Sequence, residues 1–138
     1  MFTFGRDREK ESAANYVRDP QQIQLIHGAV DAVHDFLKKR ISSDAVQVAI
    51  IRAFVEGGPG VWEQAGTWLR KLNHEFPSFL TVWQELSQHV DGRVRYRVAC
   101  FLNEMPTATA REIGTALQND RSKKVRDMAQ ARLEEVAG

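Results

Sequence analysis

A nine-residue pattern that occurs twice near the C-terminus constrains the fold more than any other feature. The first copy begins at Val94 and the second at Val125, 31 residues later, and both read Val-Arg-x-x-(Val/Ala)-x-x-x-Leu. The apolar positions recur at i, i+4 and i+8, which places them on one face of a helix. A fixed period of this length is typical of stacked helical hairpins, none of which can bury a core alone.

Cap and turn signals divide the rest of the chain into further helices. Asp19 and Pro20 predict the start of a helix that runs to about Lys39, with Gln22 at the position of a capping-box partner. The next helix is predicted over 45–56, and because its apolar residues point almost all round, we expect it to be buried between neighbours. No stretch alternates like a strand. The sequence therefore predicts an all-α fold, an α-α superhelix of six to eight helices in consecutive antiparallel hairpins.

Length and composition are those of an ordinary globular domain, with 138 residues of which 43% are hydrophobic and 27% charged. The net charge of +1 demands neither a nucleic-acid nor a membrane partner. Cys100 is the only cysteine, so no internal disulfide is possible. The N-terminal residues lack the apolar run of a signal peptide, and we expect a cytoplasmic protein without a membrane partner. We predict one helical domain over 1–138, with 1–18 as an N-terminal arm or an extra helix.

The stretch 80–136 resembles two HEAT-type helical repeats. In that family a turn Asp, a Val-Arg pair, a small residue and a leucine mark the second helix of a unit. The copies here are Asp91…Val94-Arg95…Ala99…Leu102 and Asp120…Val125-Arg126…Ala129…Leu133. The resemblance implies a HEAT-like solenoid, with one or two divergent units over 20–75, and a binding role far more often than catalysis. It also implies that the repeated arginine ties one repeat to the next through a turn aspartate, Arg126 to Asp91 or Arg95 to an upstream acid.

The exposed face of the repeated helices is where stacked hairpins build a concave surface, and we expect it to bind a partner. Its predicted residues are Arg93, Tyr96, Arg97 and Asn103 on one helix, and Lys124, Asp127, Met128 and Glu134 on the next. A cluster of tyrosine and arginine is typical of recognition patches. The first hypothesis is therefore a non-enzymatic protein-binding module that needs no cofactor and no metal. Its narrower form, by analogy of size and class, is a bacterial inhibitor or toxin-neutralising immunity protein.

The alternative is a nucleic-acid-binding HEAT-like protein that uses a basic face of residues 91–126. The basic residues of this stretch are Arg93, Arg95, Arg97, Arg111, Arg121, Lys123, Lys124 and Arg126, against four acidic ones. HEAT-like DNA glycosylases show that such a scaffold can hold DNA, but no aromatic ladder or glycine-rich motif supports this function here. An enzyme is the third hypothesis. No acid–base pair has mechanistic spacing, so no catalytic residue is predicted.

Three other features are better explained by structure than by chemistry. The glycines of 57–60 could cradle a phosphate, but they follow a helix and lack the Gly-Lys-Ser/Thr of a P-loop, so we predict a helix C-cap and a turn. His27, Asp31 and His34 share a helix flank and could hold a metal ion, but we expect the two histidines to lie beside an apolar stripe without one. Cys100 is expected to be a small, partly buried side chain.

Packing and capping roles are predicted for the remaining prominent residues. Trp68 belongs to the core, whereas Trp62 and Trp83 lie at the edges of apolar stripes, where packing between hairpins is the favoured role. Thr109 and Glu112 have the spacing of a second capping box and predict a helix start there.

Overall fold

The computed structural model describes residues 5–15 and 17–136, and every regular element in that part of the chain is helical. The all-α prediction is thus confirmed for these residues. The α-helices are α1 (Arg6–Ala13), α2 (Pro20–Leu37), α3 (Ser43–Glu56), α4 (Trp62–Glu75), α5 (Leu80–Ser87), α6 (Gly92–Cys100), α7 (Thr107–Leu117) and α8 (Lys123–Glu134). Single turns of 3-10 helix, Pro77–Phe79 and Leu102–Glu104, precede α5 and follow α6. Of the predicted N-terminal arm or helix over 1–18, residues 1–4 and 16 lie outside the described residues.

Helix α2 begins where its cap signal predicts. The Asp19 side chain accepts a hydrogen bond from the Gln21 N–H at 2.8 Å, and Pro20 is the first helical residue. The capping-box role of Gln22 is wrong, because its side-chain oxygen instead accepts the N–H of Gly58 at 2.7 Å. A partner that is distant in sequence has replaced the local one.

Helix α7 does not begin at its predicted capping box. It starts at Thr107, and no side chain caps it. The carbonyl of Pro106 accepts the N–H of Ala110 at 2.9 Å, and Thr109 is buried within the first turn. Met105 is extended, as the residue before a proline usually is, so the helix cannot begin earlier. The proline, rather than the threonine, therefore marks the boundary.

The described residues form two compact units, which divide between Glu75 and Phe76. In the N-terminal unit α3 packs against both α2 and α4. The core of this unit includes Ile26, Val30, Val33, Val46, Ile50, Phe54, Trp68, Leu69 and Leu72. Trp68 is thus a core residue as predicted, and the half-buried Trp62 packs edge-on against Phe54 with ring centroids 6.1 Å apart.

Helix α1 contacts α2 through ion pairs and a hydrogen bond between its backbone and His27. Arg6 pairs with Asp35, and the Lys10 ammonium lies 3.0 Å from a carboxylate oxygen of Asp31. Ala13 is the single buried residue of α1. Because apolar burial contributes only about 25 cal/mol per Å², one buried alanine stabilises this contact little. The ion pairs therefore account for much of the specificity of docking.

Helix α3 lies between α2 and α4, as expected, but it is not buried on all sides. Val48 is 67% exposed, and Ala45 is exposed as well. The main neighbours of α3 are α2 and α4. A helix with two neighbours has a third side that faces solvent, whatever residues it carries.

The C-terminal unit consists of two helical hairpins, α5–α6 and α7–α8, with α6 packed along α8. Val94 and Val125, the first valines of the two repeat copies, are both buried. Trp83 is completely buried rather than at a stripe edge, with its ring centroid 5.2 Å from that of Phe101. The repeated pattern therefore marks residues of this core, while the HEAT-like superhelix over the whole chain stays a prediction.

The repeated arginines do not pair as the resemblance implies. The Arg95 Nε donates to a carboxylate oxygen of Asp120 at 2.8 Å, and the two side chains are only 8% and 9% exposed. Arg126 donates to the backbone carbonyl of Asp120 at 2.8 Å, while Asp91 pairs with Arg93. The acid that holds Arg95 is therefore downstream and not upstream. The physical reason is that α6 lies beside α8, which brings the α7–α8 turn next to Arg95.

Candidate protein-docking surface

The first part of the candidate surface is one face of α6. Arg93, Tyr96 and Arg97 recur at i, i+3 and i+4, so they share a side of this helix. The buried Val94 and Val98 point away from that side into the core. Arg93 is exposed, whereas Tyr96 and Arg97 are half-buried. The predicted residues of α6 are thus accessible to different degrees.

The second part is the neighbouring face of α8. Lys124 and Asp127 are exposed, and Met128 is half-buried. The Lys124 ammonium lies 5.7 Å from the centroid of the Tyr96 ring. A cation at this distance from an aromatic ring is attracted to it by about 0.5–1 kcal/mol at an exposed site. The structure thus brings together two predicted site residues that are 28 positions apart in sequence.

Asn103 lies at the edge of this surface. It belongs to the 3-10 turn after α6, and its side-chain amide donates to a carboxylate oxygen of Glu135 at 2.8 Å. This bond joins the end of α6 to the end of α8. Glu134, predicted at the same end, is exposed.

Ion pairs and a thiol set the electrostatics of the surface. The hydrogen bond from the Arg93 guanidinium holds the pKa of Asp91 below its usual value. The pKa of the Tyr96 phenol is raised, first by its electrostatic interaction with Cys100 and then by burial. The phenol therefore keeps its proton at neutral pH and remains a hydrogen-bond donor. The half-buried Cys100 was predicted only as a small side chain, although its i+4 spacing from Tyr96 could have indicated this contact.

Arg132 is a neighbour of Tyr96 that the sequence pattern missed. Its positive charge acts on the Tyr96 phenol and opposes the rise in pKa. Arg132 also pairs with Glu135 at 3.2 Å. No spacing within one helix predicts this contact, because it depends on how far α8 is shifted along α6.

The basic residues of 91–126 do not all lie on one exposed face. Arg95 is buried and paired with Asp120, so it does not add its charge to an exposed basic face. Arg121 donates to the backbone carbonyl of Val90 at 3.2 Å, and Lys123 pairs with Asp127. Many of the charges counted in the sequence are thus bound to groups of the same unit.

The other candidate sites have structural partners. The His27 ring nitrogen lies 3.1 Å from the carbonyl of Lys10, the residue whose ammonium pairs with Asp31. His34 is buried, and this burial, followed by the charge of Arg6, lowers its pKa. Within 5–15 and 17–136, no group of three or more His, Cys, Asp or Glu could hold a metal ion.

The glycine segment after α3 forms a helix end and a turn. Gly57 caps α3 by donating to the carbonyl of Ala53 at 3.0 Å, and Gly60 has a positive φ of 87° that favours glycine. The N–H of Gly58 is bound to Gln22. A phosphate-cradling loop would need such N–H groups to point at a ligand.

No protein-family model, curated protein or solved structure matches this chain. The HEAT-like resemblance therefore stays a prediction from the repeat pattern. Among the helices of the described residues, none combines the length and the apolar character needed to cross a membrane.

Proposed function

We propose that the chain is a non-enzymatic protein-binding module. Its docking surface consists of Arg93, Tyr96, Arg97, Asn103, Lys124, Asp127 and Met128. The observation that carries the proposal is the contact of Lys124 with the Tyr96 ring, which joins the exposed sides of α6 and α8. A standard protein interface covers about 800 Å² of each partner, so a surface that extends over two helices suits a protein partner better than the face of one helix.

The residue types of the docking surface support a protein as the partner. Tyrosine, arginine and methionine are enriched at protein interfaces, and tyrosine and arginine are frequent hot spots. Tyr96 is half-buried and is in contact with Lys124, so little conformational freedom is lost when it binds. Met128 adds a flexible apolar side chain that can adapt to a partner.

The narrower proposal is that the partner is a toxin that the chain inhibits, as an immunity protein of a bacterium would. It is supported by small size and helical class alone. Its test is co-expression with the product of the adjacent gene, where growth rescue would support it and continued toxicity would contradict it.

The main experiment is affinity capture from the native lysate with the tagged chain, carried out with and without nuclease treatment. The variant Y96A/R97E changes the docking surface, K124E changes it at an exposed position, and R111E is the control because Arg111 is exposed on α7. We expect one stoichiometric protein to be captured by wild type and R111E and lost with both docking-surface variants. Circular dichroism verifies that each variant is folded.

Two outcomes would contradict the proposed function. A partner retained by Y96A/R97E and by K124E would bind elsewhere on the chain. Captured material that disappears with nuclease would favour the nucleic-acid hypothesis, which also predicts a steep loss of affinity with salt.

A further inference from the structure

Val90 is the most exposed large apolar residue of the described chain, with 83% of its surface accessible. It lies in the turn between α5 and α6. A single exposed valine is common on protein surfaces, so exposure alone indicates no function. The hydrogen bonds of its backbone distinguish this valine.

The backbone around Val90 is held by two arginines. The Val90 carbonyl accepts from Arg95 at 3.0 Å and from Arg121 at 3.2 Å. Arg95 also donates to the carbonyl of His89 at 2.7 Å, and the Asp91 N–H donates to the His89 ring at 3.0 Å. Because Arg95 is itself buried against an acid, this turn presents its valine on a preorganised backbone. A preorganised apolar side chain costs less conformational entropy on binding than a mobile one.

A groove of about 410 Å³ lies beside Val90. We call the two turns that form it, 88–91 and 118–122, the turn end of the C-terminal unit. The lining residues are Gln88, His89, Val90, Asn119, Asp120 and Arg121, with parts of Arg95 and Ala116. The groove therefore offers one apolar wall among side chains that can form hydrogen bonds.

The charge around the turn end is positive. Residues 88–95 and 118–127 include six lysines and arginines against three aspartates. Each aspartate is engaged within the unit: Asp91 with Arg93, Asp120 with Arg95, and Asp127 with Lys123. Helices α6 and α8 both begin here, and their positive dipole ends add to the field. Carboxylates of a partner would be attracted to this end.

We infer that the turn end docks an acidic segment of a partner protein, with an apolar side chain against Val90 and a carboxylate against Arg121. The inference rests on the proposed function in that the partner is a protein, and it adds the chemistry of that partner. Arg93 and Lys124 lie in the first turns of α6 and α8, so the turn end continues into the docking surface. The described residues that line the groove include no Phe, Tyr or Trp side chain on which bases could stack, which favours a protein over a single-stranded nucleic acid.

The test is selection of binders from a random dodecapeptide library and, in parallel, from a random single-stranded DNA pool. Selected peptides are then titrated against wild type, V90S/R121E, Y96A/R97E and V48S/R111E. The last variant is the matched control, because Val48 is an equally apolar, 67% exposed residue of the other unit and Arg111 is exposed outside the turn end. We expect peptides that combine Asp or Glu with an aliphatic residue. V90S/R121E should weaken their binding at least about tenfold, or 1.4 kcal/mol, and the control should not.

The outcomes separate this inference from the proposed function. Loss with V90S/R121E but not with Y96A/R97E would support the turn end and leave the docking surface to its own test, the capture with Y96A/R97E and K124E. Loss with Y96A/R97E alone would support the docking surface and overturn the inference. Selection of neutral or basic peptides, of no peptide, or of DNA in place of peptides would overturn it as well.

Discussion

In each unit, one side chain holds a turn between helices by hydrogen bonds, and we call this side chain the fastener of the turn. The fasteners of the two units differ in chemistry. In the N-terminal unit, Gln22 of α2 holds the α3–α4 turn. Its side chain accepts the N–H of Gly58 at 2.7 Å and donates to the carbonyl of Glu56 at 3.5 Å. The fastener is a neutral amide with one strong and one long hydrogen bond, and the turn it holds is only half-buried.

In the C-terminal unit, Arg95 of α6 holds two turns. It binds Asp120 of the α7–α8 turn and the carbonyls of His89 and Val90 in the turn before its own helix. This fastener is a buried ion pair. A buried ion pair adds modest net stability, because desolvation offsets much of the attraction, but its loss leaves a buried charge without compensation. Removal of Arg95 should therefore destabilise the C-terminal unit more than removal of Gln22 destabilises the N-terminal unit.

The largest expected effect is that of Arg95→Ala. It leaves the buried Asp120 carboxylate and two backbone carbonyls without this donor, and we expect a loss of about 3 kcal/mol or more in the free energy of unfolding. The control Arg93→Ala removes an exposed ion pair, which solvent screens, and should cost far less stability than Arg95→Ala. Urea unfolding measures both values, and hydrogen exchange of α5–α8 locates the loss. Equal effects of the two variants would mean that burial does not distinguish these arginines.

Removal of the fastener of the N-terminal unit should lower the free energy of unfolding less. Gln22→Ala removes the acceptor of the Gly58 N–H, and because that turn is half-buried, water can replace much of the bond. We expect a cost of about 1 kcal/mol. Gln24→Ala, an exposed amide on the same helix, should change stability by less than about 0.5 kcal/mol. A Gln22→Ala loss as large as that of Arg95→Ala would remove the contrast between the two units.

The sequence predicts those features of the fold that depend on residues close to one another in the chain. The start of α2 was predictable because Asp19 and Pro20 act within one turn of helix. The repeat core was predictable because Val94 and Val125 follow helical periodicity. The partner of Arg95 was not, since the side on which the next hairpin packs does not appear in the spacing of apolar residues. Periodicity also does not state how many neighbours a helix has, so it could not predict that Val48 is exposed.

In the candidate site too, the sequence predicts the arrangement within one helix but not the contacts between helices. Helical spacing predicts that Arg93, Tyr96 and Arg97 share one side of α6. The contact of Tyr96 with Lys124 depends on the offset between two helices, which the 31-residue repeat indicates only approximately. The Val90 carbonyl accepts hydrogen bonds from Arg95 and Arg121, which belong to other segments. No sequence motif predicts these bonds. Both proposed binding surfaces depend on such non-local contacts, and the partner stays a prediction.

The smallest expected effect is a difference between the two fasteners in how their contribution to stability depends on pH. Burial opposes ionisation of Asp120, but hydrogen bonds from Arg95 and from the Ser122 N–H, with the charges of Arg95 and Arg121, lower its pKa below the ordinary 3.8. As the pH falls, the unfolded chain therefore takes up this proton first. The stability that ionised Asp120 contributes is complete above pH 3.8 and is lost as the pH falls through the lower, folded-state pKa.

Urea unfolding from neutral pH down to about pH 3 measures this dependence. The advantage of wild type over Asp120→Asn should shrink at the acid end of this range, while its advantage over Gln22→Ala should stay constant because an amide does not titrate. His34, whose pKa is also lowered, has the same sign of pH dependence but is present in all three chains, so it cancels in both differences. A constant advantage over Asp120→Asn would mean that the charge of this residue does not stabilise its turn, and that the two fasteners differ only in their number of hydrogen bonds.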